Sequence, residues 1–263
     1  MNFIQSIILA IIEGITEFLP ISSTAHMKFA NPFLGLENSP FTDMYEVVIQ
    51  LAAILSVVVL YWKKFIDIKH FSFYIKLAIA VVPALLFGAL FKKYLDAALS
   101  NLTFIACVML VGGIVLLFID NFFKDNTINE EEKISNKTAF IIGCFQVLSI
   151  VFPGLSRSAA TIIGGMSQKL TRSVAAEFSF FLAVPTMFAA SVKSFWDVYK
   201  SNPEVIKVDN MTTLGIGAIV SFFVALFAVK FFITYLQKNG FKLFGWYRIA
   251  LGATMLITIF LHK

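Results

Sequence analysis

The stretch EGITEFLPISSTAH, residues Glu13–His26, places two carboxylates, several hydroxyl groups and an imidazole directly after the apolar run Phe3–Ile12. Polar groups are costly in apolar surroundings, so this segment either lies outside a membrane or lines a pocket that does chemistry inside one. Pro20 has no N–H group to donate and interrupts the helix, and the hydroxyl groups after it can cap a new helix. The stretch therefore predicts a short helix, a break and a second short helix.

The composition of the whole chain is that of a membrane protein. Of its 263 residues 59% are hydrophobic and 14% are charged, whereas soluble domains are about a quarter charged. Several windows approach the roughly 20 apolar residues that one spanning helix needs. They are Val47–Trp62, Phe73–Phe91, Phe104–Phe118, Phe178–Val192, Leu214–Leu236 and Phe244–Leu261. These windows are apolar on all sides, unlike the strands of a membrane barrel, so an all-α polytopic membrane protein with six transmembrane helices is predicted.

The two halves of the chain resemble each other. Aligning Pro20 with Pro153 also aligns three polar positions: Glu13 with Gln146, Thr16 with Ser149 and Ser23 with Ser156. Duplicated membrane halves often pack as inverted repeats whose broken helices meet near the midplane. We predict one integral membrane domain over residues 1–263, with repeat 1 at about 1–121, an acidic loop at 122–138 and repeat 2 at about 139–263. Each repeat contributes one re-entrant helix pair, a structure tolerated only when it is buried in protein or lines a cavity.

Basic residues are unevenly divided between the two predicted faces. Loops 63–76, 122–138, 167–176 and 230–248 carry about 13 Lys and Arg residues, against about 7 on the other face. The excess marks the cytoplasmic side, so the first re-entrant pair enters from outside and the second from the cytoplasm. The net charge of +5 does not indicate nucleic-acid binding, because no single face collects the basic residues.

Glu13 and Glu17 lie one helical turn apart and share a face of the first short helix. Two such carboxylates repel each other, and each is costly in a low dielectric. A divalent cation, Mg²⁺ or Ca²⁺, would relieve both costs, since these ions prefer carboxylate oxygens. A pair of surface glutamates near the membrane interface is the plainer alternative. The apolar residues on both sides favour the metal site.

The helix start after Pro20 is predicted to bind an anion. Ser22, Ser23 and Thr24 supply capping hydroxyl groups, and a helix N-terminus presents free N–H groups and positive partial charge. His26 follows Ser23 by three residues and shares the first turn. For Ser22 and Thr24, ordinary capping is the alternative to a role in substrate binding.

The second break, PGLSRSAAT at Pro153–Thr161, repeats the design and adds an arginine. Arg157 stands between Ser156 and Ser158, and its planar guanidinium suits phosphate oxygens. Snorkelling of Arg157 to lipid headgroups is the alternative, but the bend and the adjacent helix start favour a phosphate. With Ser156, Ser158 and Thr161 as further contacts, the two halves predict one site for a phosphate or diphosphate with a divalent cation.

These motifs resemble those of a known family. EGITEFLPISSTAH and PGLSRSAAT are similar to the two signature motifs of the bacterial undecaprenyl-diphosphate phosphatases, also called bacitracin resistance proteins. The resemblance extends along nearly the whole chain, including EVVIQLAAILSVV and AAEFSFFLAVP. It implies hydrolysis of undecaprenyl diphosphate to undecaprenyl phosphate and phosphate, which recycles the lipid carrier for peptidoglycan synthesis. It also implies the bacterial inner (cytoplasmic) membrane, bacitracin resistance, and an active site that opens to the outer face.

The resemblance further implies roles for individual residues. Glu13 and Glu17 resemble the metal-linked acidic pair, Ser23 and His26 the catalytic serine and histidine, and Arg157 the diphosphate-binding arginine. Either His26 or Glu17 would take the proton of Ser23, and direct attack by water remains equally open. The expected partners are undecaprenyl diphosphate and membrane lipid, with a homodimer as an open question. A polyprenyl-phosphate flippase or transporter is the alternative function, because broken helices and midplane anion sites also occur in transporters.

Overall fold

Twelve α-helices make up nearly all of the structure, a computed structural model that describes residues 1–37, 39–66 and 71–261. They are α1 (Phe3–Thr16), α2 (Ser23–Phe33), α3 (Pro40–Leu60), α4 (Trp62–Ile66), α5 (Phe71–Leu90), α6 (Lys92–Ser100), α7 (Leu102–Phe122), α8 (Asn136–Val151), α9 (Arg157–Ser167), α10 (Arg172–Ser201), α11 (Val208–Asn239) and α12 (Lys242–Leu261). Within the described ranges the β-structure is limited to one isolated bridge, between Ile128 and Leu170. The all-α prediction is confirmed.

Six of these helices are long and apolar enough to cross a membrane: α3, α5, α7, α10, α11 and α12. Each overlaps one of the six predicted windows, so the prediction of a multi-pass membrane protein is confirmed. Helices α10 and α11 contain 30 and 32 residues, well beyond the roughly 20 that a hydrocarbon core requires. Helices α1 and α8 are apolar but contain only 14 and 16 residues, as expected for elements that stop at a break.

The helices pack in matched pairs across the two halves of the chain. Helix α7 lies along α12, and α3 lies along α10. The contact between α1 and α11 corresponds to the contact between α8 and α5. Likewise, the contact between α1 and α2 corresponds to the contact between α8 and α9. Exchanging the two halves therefore reproduces the main contacts, which supports an internal duplication. The inversion of the repeats and the re-entrant course of the short helix pairs stay predictions.

The two breaks end in the same local geometry. The side chains of Ser22 and Ser156 are N-caps that accept hydrogen bonds from the backbone N–H groups of Ala25 and Ala159, at 3.3 Å in each case. The φ angles of these serines are 67° and 76°, in the left-handed region that residues with a side chain rarely adopt. Backbone strain of this kind persists only where the surrounding structure imposes it, and it clusters at functional sites.

This geometry corrects one detail of the superposition made from the sequence. The matched caps pair Ser22 with Ser156, and so pair Ser23 with Arg157, whereas the sequence alignment set Ser23 on Ser156. The alignment was wrong by one residue for positions after the break. From the N-cap of the short helix before the break to the N-cap of the helix after it, the second half is one residue longer. The first half therefore presents a hydroxyl group where the second presents a guanidinium.

Glycines allow several of the helix pairs to approach closely. A Cβ atom on Gly143 of α8 would lie 2.3 Å from the carbonyl oxygen of Ala80 in α5. A Cβ atom on Gly113 of α7 would lie 2.8 Å from the carbonyl oxygen of Gly245 in α12. Small residues at such positions are what brings membrane helices into direct backbone contact. This close packing sets the position of α8 and its break.

Candidate active site

A cavity of about 310 Å³ lies between the two breaks. Its polar wall includes Glu17, Ser22, Ser23 and Thr24 from the first break and Ser156 and Arg157 from the second. Its apolar wall includes Leu95 and Leu99 of α6, Ile150 of α8 and Met187 of α10. An adjoining cavity of about 740 Å³ shares Thr24, Gln50 and Leu99 with it. The structure thus brings most of the predicted site residues to one partly open cavity whose lining is mainly apolar.

The central contact of this cavity joins residues from the two halves of the chain. Nη2 of Arg157 donates a hydrogen bond to Oε1 of Glu17 at 2.9 Å, across 140 positions of sequence. Nη1 of Arg157 donates to the carbonyl oxygen of Ser179 at 3.1 Å. Nε of Arg157 is buried and has no hydrogen-bond partner among the described residues. The guanidinium therefore keeps a spare donor that an anion oxygen could use.

Ser23 and Glu17 form a second close contact in the same cavity. Oγ of Ser23 donates to Oε2 of Glu17 at 2.5 Å, and both side chains are buried. A carboxylate this near to a hydroxyl group is placed to receive its proton if the hydroxyl oxygen attacks an electrophile. One carboxylate therefore links the possible nucleophile to the guanidinium.

Glu13 is fully buried one turn before Glu17, and neither of its carboxylate oxygens accepts a hydrogen bond from the described residues. A buried carboxylate without partners is costly, so it calls for a proton or a cation. Among the described residues no group of three or more His, Cys, Asp and Glu side chains could hold a metal ion. Two carboxylates still fit an ion that completes its coordination shell with phosphate oxygens and water, as Mg²⁺ commonly does.

His26 lies in the first turn of α2, as predicted, but the hydrogen-bond partners of its ring nitrogens are Ser22 and Tyr247, not Ser23. Nδ1 donates to the carbonyl oxygen of Ser22 at 2.7 Å, and Nε2 lies 2.8 Å from Oη of Tyr247. The rings of His26 and Tyr247 stack with centroids 5.6 Å apart. Burial lowers the pKa of His26, so the neutral ring donates from Nδ1 and accepts from Tyr247 at Nε2. Of the two predicted acceptors for the Ser23 proton, the geometry favours Glu17.

Ser158 and Thr161 are buried behind the second break and do not line the cavity. Oγ of Ser158 donates to the carbonyl oxygen of Leu19 at 3.0 Å and is hydrogen-bonded to Oγ of Ser156 at 2.9 Å. Oγ1 of Thr161 donates to the carbonyl oxygen of Arg157 at 2.8 Å. The expectation that these two side chains contact substrate has no geometric support, because their hydroxyl groups already brace the start of α9.

Two polar residues, Gln50 and Arg248, contribute to the site although the sequence assigned them no role. Gln50 of α3 lines both cavities; it lies in the stretch EVVIQLAAILSVV, which carries part of the family resemblance, but the sequence assigned it no role. Arg248 of α12 is fully buried and donates to backbone carbonyl groups at both breaks. It had been counted with the basic residues of loop 230–248, although an ionisable residue inside an apolar span is a functional candidate by default. That rule, applied to the window Phe244–Leu261, would have found it.

Comparison with known proteins agrees with these motifs. The model of the family "Bacitracin resistance protein BacA" matches residues 6–254. An undecaprenyl-diphosphatase of Flavobacterium psychrophilum is 52% identical over 263 residues, covering 100% of this chain and 98% of that protein. Undecaprenyl-diphosphatases of Porphyromonas gingivalis and Enterococcus faecalis are 46% and 43% identical, each covering 98% of this chain and 96% and 97% of their own lengths. The chain therefore belongs to the bacitracin resistance protein BacA family.

Proposed function

We propose that this chain is an integral membrane phosphatase that hydrolyses undecaprenyl diphosphate to undecaprenyl phosphate and inorganic phosphate. The observation that carries the proposal is the contact of Ser23 and Arg157 with the two oxygens of Glu17 inside one cavity. The relatives named undecaprenyl-diphosphatase support the choice of substrate. The reaction recycles the lipid carrier for peptidoglycan synthesis and confers resistance to bacitracin.

Hydrolysis accounts for the site better than lipid transport does. A transporter needs an anion site near the midplane, and Arg157 with two helix starts would suffice for that. It does not need a hydroxyl group that donates directly to a buried carboxylate, which is the arrangement of an activated nucleophile. The names of the relatives also favour the phosphatase over the flippase.

Arg157 and the starts of α2 and α9 bind the diphosphate. The planar guanidinium holds phosphate oxygens in a bidentate manner, and the free N–H groups of the helix starts donate hydrogen bonds to the remaining phosphate oxygens. In the structure Arg157 is paired with Glu17. An entering diphosphate competes with Glu17 for the guanidinium, which leaves the carboxylate free to act on Ser23. In phosphoryl transfer such positioning and charge neutralisation supply most of the acceleration.

Ser23 then attacks the terminal phosphorus, and its proton passes to Oε2 of Glu17. The bond between that phosphorus and the bridging oxygen breaks, and undecaprenyl phosphate leaves with the bonding electrons. Water hydrolyses the resulting phosphoserine and releases inorganic phosphate. In the alternative, water attacks the phosphorus directly and Ser23 only binds the substrate. Rapid quenching of a single turnover with labelled substrate distinguishes the two routes, because only the first leaves label on Ser23.

The proposal includes a divalent cation, Mg²⁺ or Ca²⁺, held by Glu13 and Glu17. It is supported by the two oxygens of Glu13, which are buried without hydrogen-bond partners among the described residues. When bound, such an ion would neutralise negative charge on the diphosphate. Because Glu17 already accepts hydrogen bonds from Ser23 and Arg157, Glu13 offers the freer coordination.

The proposal places the protein in the bacterial cytoplasmic membrane with its active site open to the outer face. The excess of basic residues in loops 63–76, 122–138, 167–176 and 230–248 supports this orientation, although Arg248 itself is buried and does not belong to a loop. The larger cavity reaches Leu36 and Leu102, next to the connections before α3 and α7, which lie on the opposite face. The oligomeric state stays open between a monomer and a homodimer, and light scattering in detergent distinguishes the two.

Phosphate release by the purified protein in detergent tests the function. Wild-type protein should release phosphate from undecaprenyl diphosphate and from farnesyl diphosphate, and a chelator should stop it. Detergent leaves no second compartment, so transport cannot produce this signal. Absence of phosphate release, together with movement of labelled polyprenyl phosphate across proteoliposomes, would establish the flippase instead.

A further inference from the structure

Arg248 is a buried cation with which no carboxylate of the described residues forms an ion pair. Its side chain is fully buried in the second turn of α12, and the ion pairs formed by the described residues do not include it. A charge removed from water is costly unless hydrogen bonds replace its hydration. The cation therefore stays buried only because something in its surroundings compensates for that cost.

Four backbone carbonyl groups provide this compensation, and three of them belong to the two breaks. Nη1 donates to the carbonyl oxygens of Pro20 at 3.0 Å and Leu155 at 2.7 Å, and Nη2 donates to that of Gly154 at 2.8 Å. Nε donates to the carbonyl oxygen of Met109 in α7 at 3.2 Å. A single nitrogen atom, Nη1, thus bonds to the first break and to the second at once.

These carbonyl groups lie next to the reacting side chains in sequence. Pro20 lies midway between Glu17 and Ser23, and Leu155 comes two residues before Arg157. We propose that Arg248 is a positioning residue whose guanidinium ties the turn carrying Glu17 and Ser23 to the turn carrying Arg157. This inference rests on the proposed function, and it assigns to Arg248 the alignment of the nucleophile with the diphosphate-binding charge.

Arginine is suited to this task, and the neighbouring helix makes room for it. Its planar guanidinium carries five N–H donors in a fixed fork, whereas a lysine ammonium has three donors at one point and is more strongly hydrated. A Cβ atom on Gly112 of α7 would lie 2.3 Å from Nη2 of Arg248. Helix α7 thus has a glycine, Gly112, at the point where the guanidinium of Arg248 packs against it. A methyl group there would displace the guanidinium without removing its charge.

Arg248→Lys and Gly112→Ala test the proposal in the full-length protein in detergent, with farnesyl diphosphate as the probe. We expect kcat to fall about 100-fold in Arg248→Lys, the loss that a displacement of about 1 Å causes at an active site. Gly112→Ala should lose at least about tenfold by the same displacement. Gly215→Ala is the matched control, because a Cβ atom on Gly215 meets no atom within 4 Å. It should stay within about twofold of wild type.

A double-mutant cycle separates positioning from a general loss of stability. If Arg248 acts by aligning Arg157, Arg248→Lys should cost at least about tenfold less kcat in an Arg157→Lys background than in wild type. A merely structural role would cost the same factor in both backgrounds, and that result would overturn the proposal. Retention of more than half of kcat by both Arg248→Lys and Gly112→Ala would overturn it as well. If Arg248→Lys does not elute as a single species, the same cycle with Gly112→Ala decides. Failure of wild-type protein to release phosphate would instead refute the proposed function.

Discussion

Replacing Arg157 with lysine keeps the positive charge at the second break but removes the planar guanidinium. In the structure this side chain donates to Glu17 at 2.9 Å and to the carbonyl oxygen of Ser179 at 3.1 Å. Its Nε is a further buried donor without a partner among the described residues. A lysine ammonium can replace one of these donors but cannot hold two phosphate oxygens in one plane. The substitution therefore tests the geometry of diphosphate binding rather than the charge.

The expected loss follows from the number of contacts that the lysine cannot make. Two charge-assisted hydrogen bonds to phosphoryl oxygens are available to Arg157, and lysine retains one of them. A hydrogen bond to a charged group contributes about 1.5–3 kcal/mol, so kcat/KM should fall about 10- to 150-fold. The assay is phosphate release in detergent from both undecaprenyl and farnesyl diphosphate. The two substrates should lose the same factor, because Arg157 binds the diphosphate group that they share.

Arg172→Lys is the matched control for this measurement. Arg172, at the start of α10, forms an ion pair with Asp120, with Nε 2.8 Å from Oδ1; its side chain is 35% exposed, and it does not line the cavity. Partly exposed ion pairs contribute little, so this variant should keep its activity within about twofold of wild type. If Arg157→Lys kept more than half of wild-type kcat/KM, or lost activity only on the long-chain substrate, the assignment of Arg157 to the diphosphate would be refuted.

Three further predictions, two of them with control substitutions, test other parts of the site and its scaffold. Ser23→Ala should lower kcat by at least about 1,000-fold and Ser158→Ala by less than about tenfold, because of these two serines only Ser23 lines the cavity. Similar losses in the two variants would argue against a serine nucleophile. Glu17→Gln should raise the Mg²⁺ or Ca²⁺ concentration needed for half-maximal activity by at least about tenfold, and an unchanged metal titration would exclude this residue as a ligand. Gly143→Ala should destabilise the protein by about 1–3 kcal/mol, because its Cβ atom would lie 2.3 Å from a backbone oxygen of α5. Gly88→Ala, with no atom within 4 Å, should leave the melting temperature in detergent unchanged, and equal melting temperatures for both variants would contradict the packing argument.

The helices and the breaks of this protein follow closely from local sequence. The six apolar windows reappear as six long helices, because their length and composition already satisfy what a membrane demands of a spanning segment. The helix after each break begins at or next to its capping serine, Ser22 or Ser156. The proline two or three residues earlier and the serine act on the backbone nearest to them, so these features need no tertiary information.

Side-chain direction within the motifs was less predictable. His26 and Ser23 share one helical turn, yet the ring of His26 turns to Tyr247 in α12. Ser158 and Thr161 flank Arg157 closely in sequence, but their hydroxyl groups bond to backbone carbonyl groups and stay out of the cavity. In each case the direction depends on a neighbouring element that the motif does not contain. Proximity in a motif therefore identified the region of the site but not every residue that lines it.

The sequence by itself determined that this is a helical membrane protein with two interrupted hairpins and one unusually polar set of residues at each interruption. The sequence also predicted that the two halves share one site, but only the tertiary structure decided that Glu17 and Arg157 pair directly across 140 positions. It alone decided that Arg248 is buried and donates to backbone carbonyl groups at both interruptions. The physical reason is the range of the forces involved. Spanning length, proline breaks and caps act between a residue and its immediate surroundings. Contacts between side chains that are far apart in sequence depend on how whole helices pack against each other. Close contacts at glycines help to determine that packing.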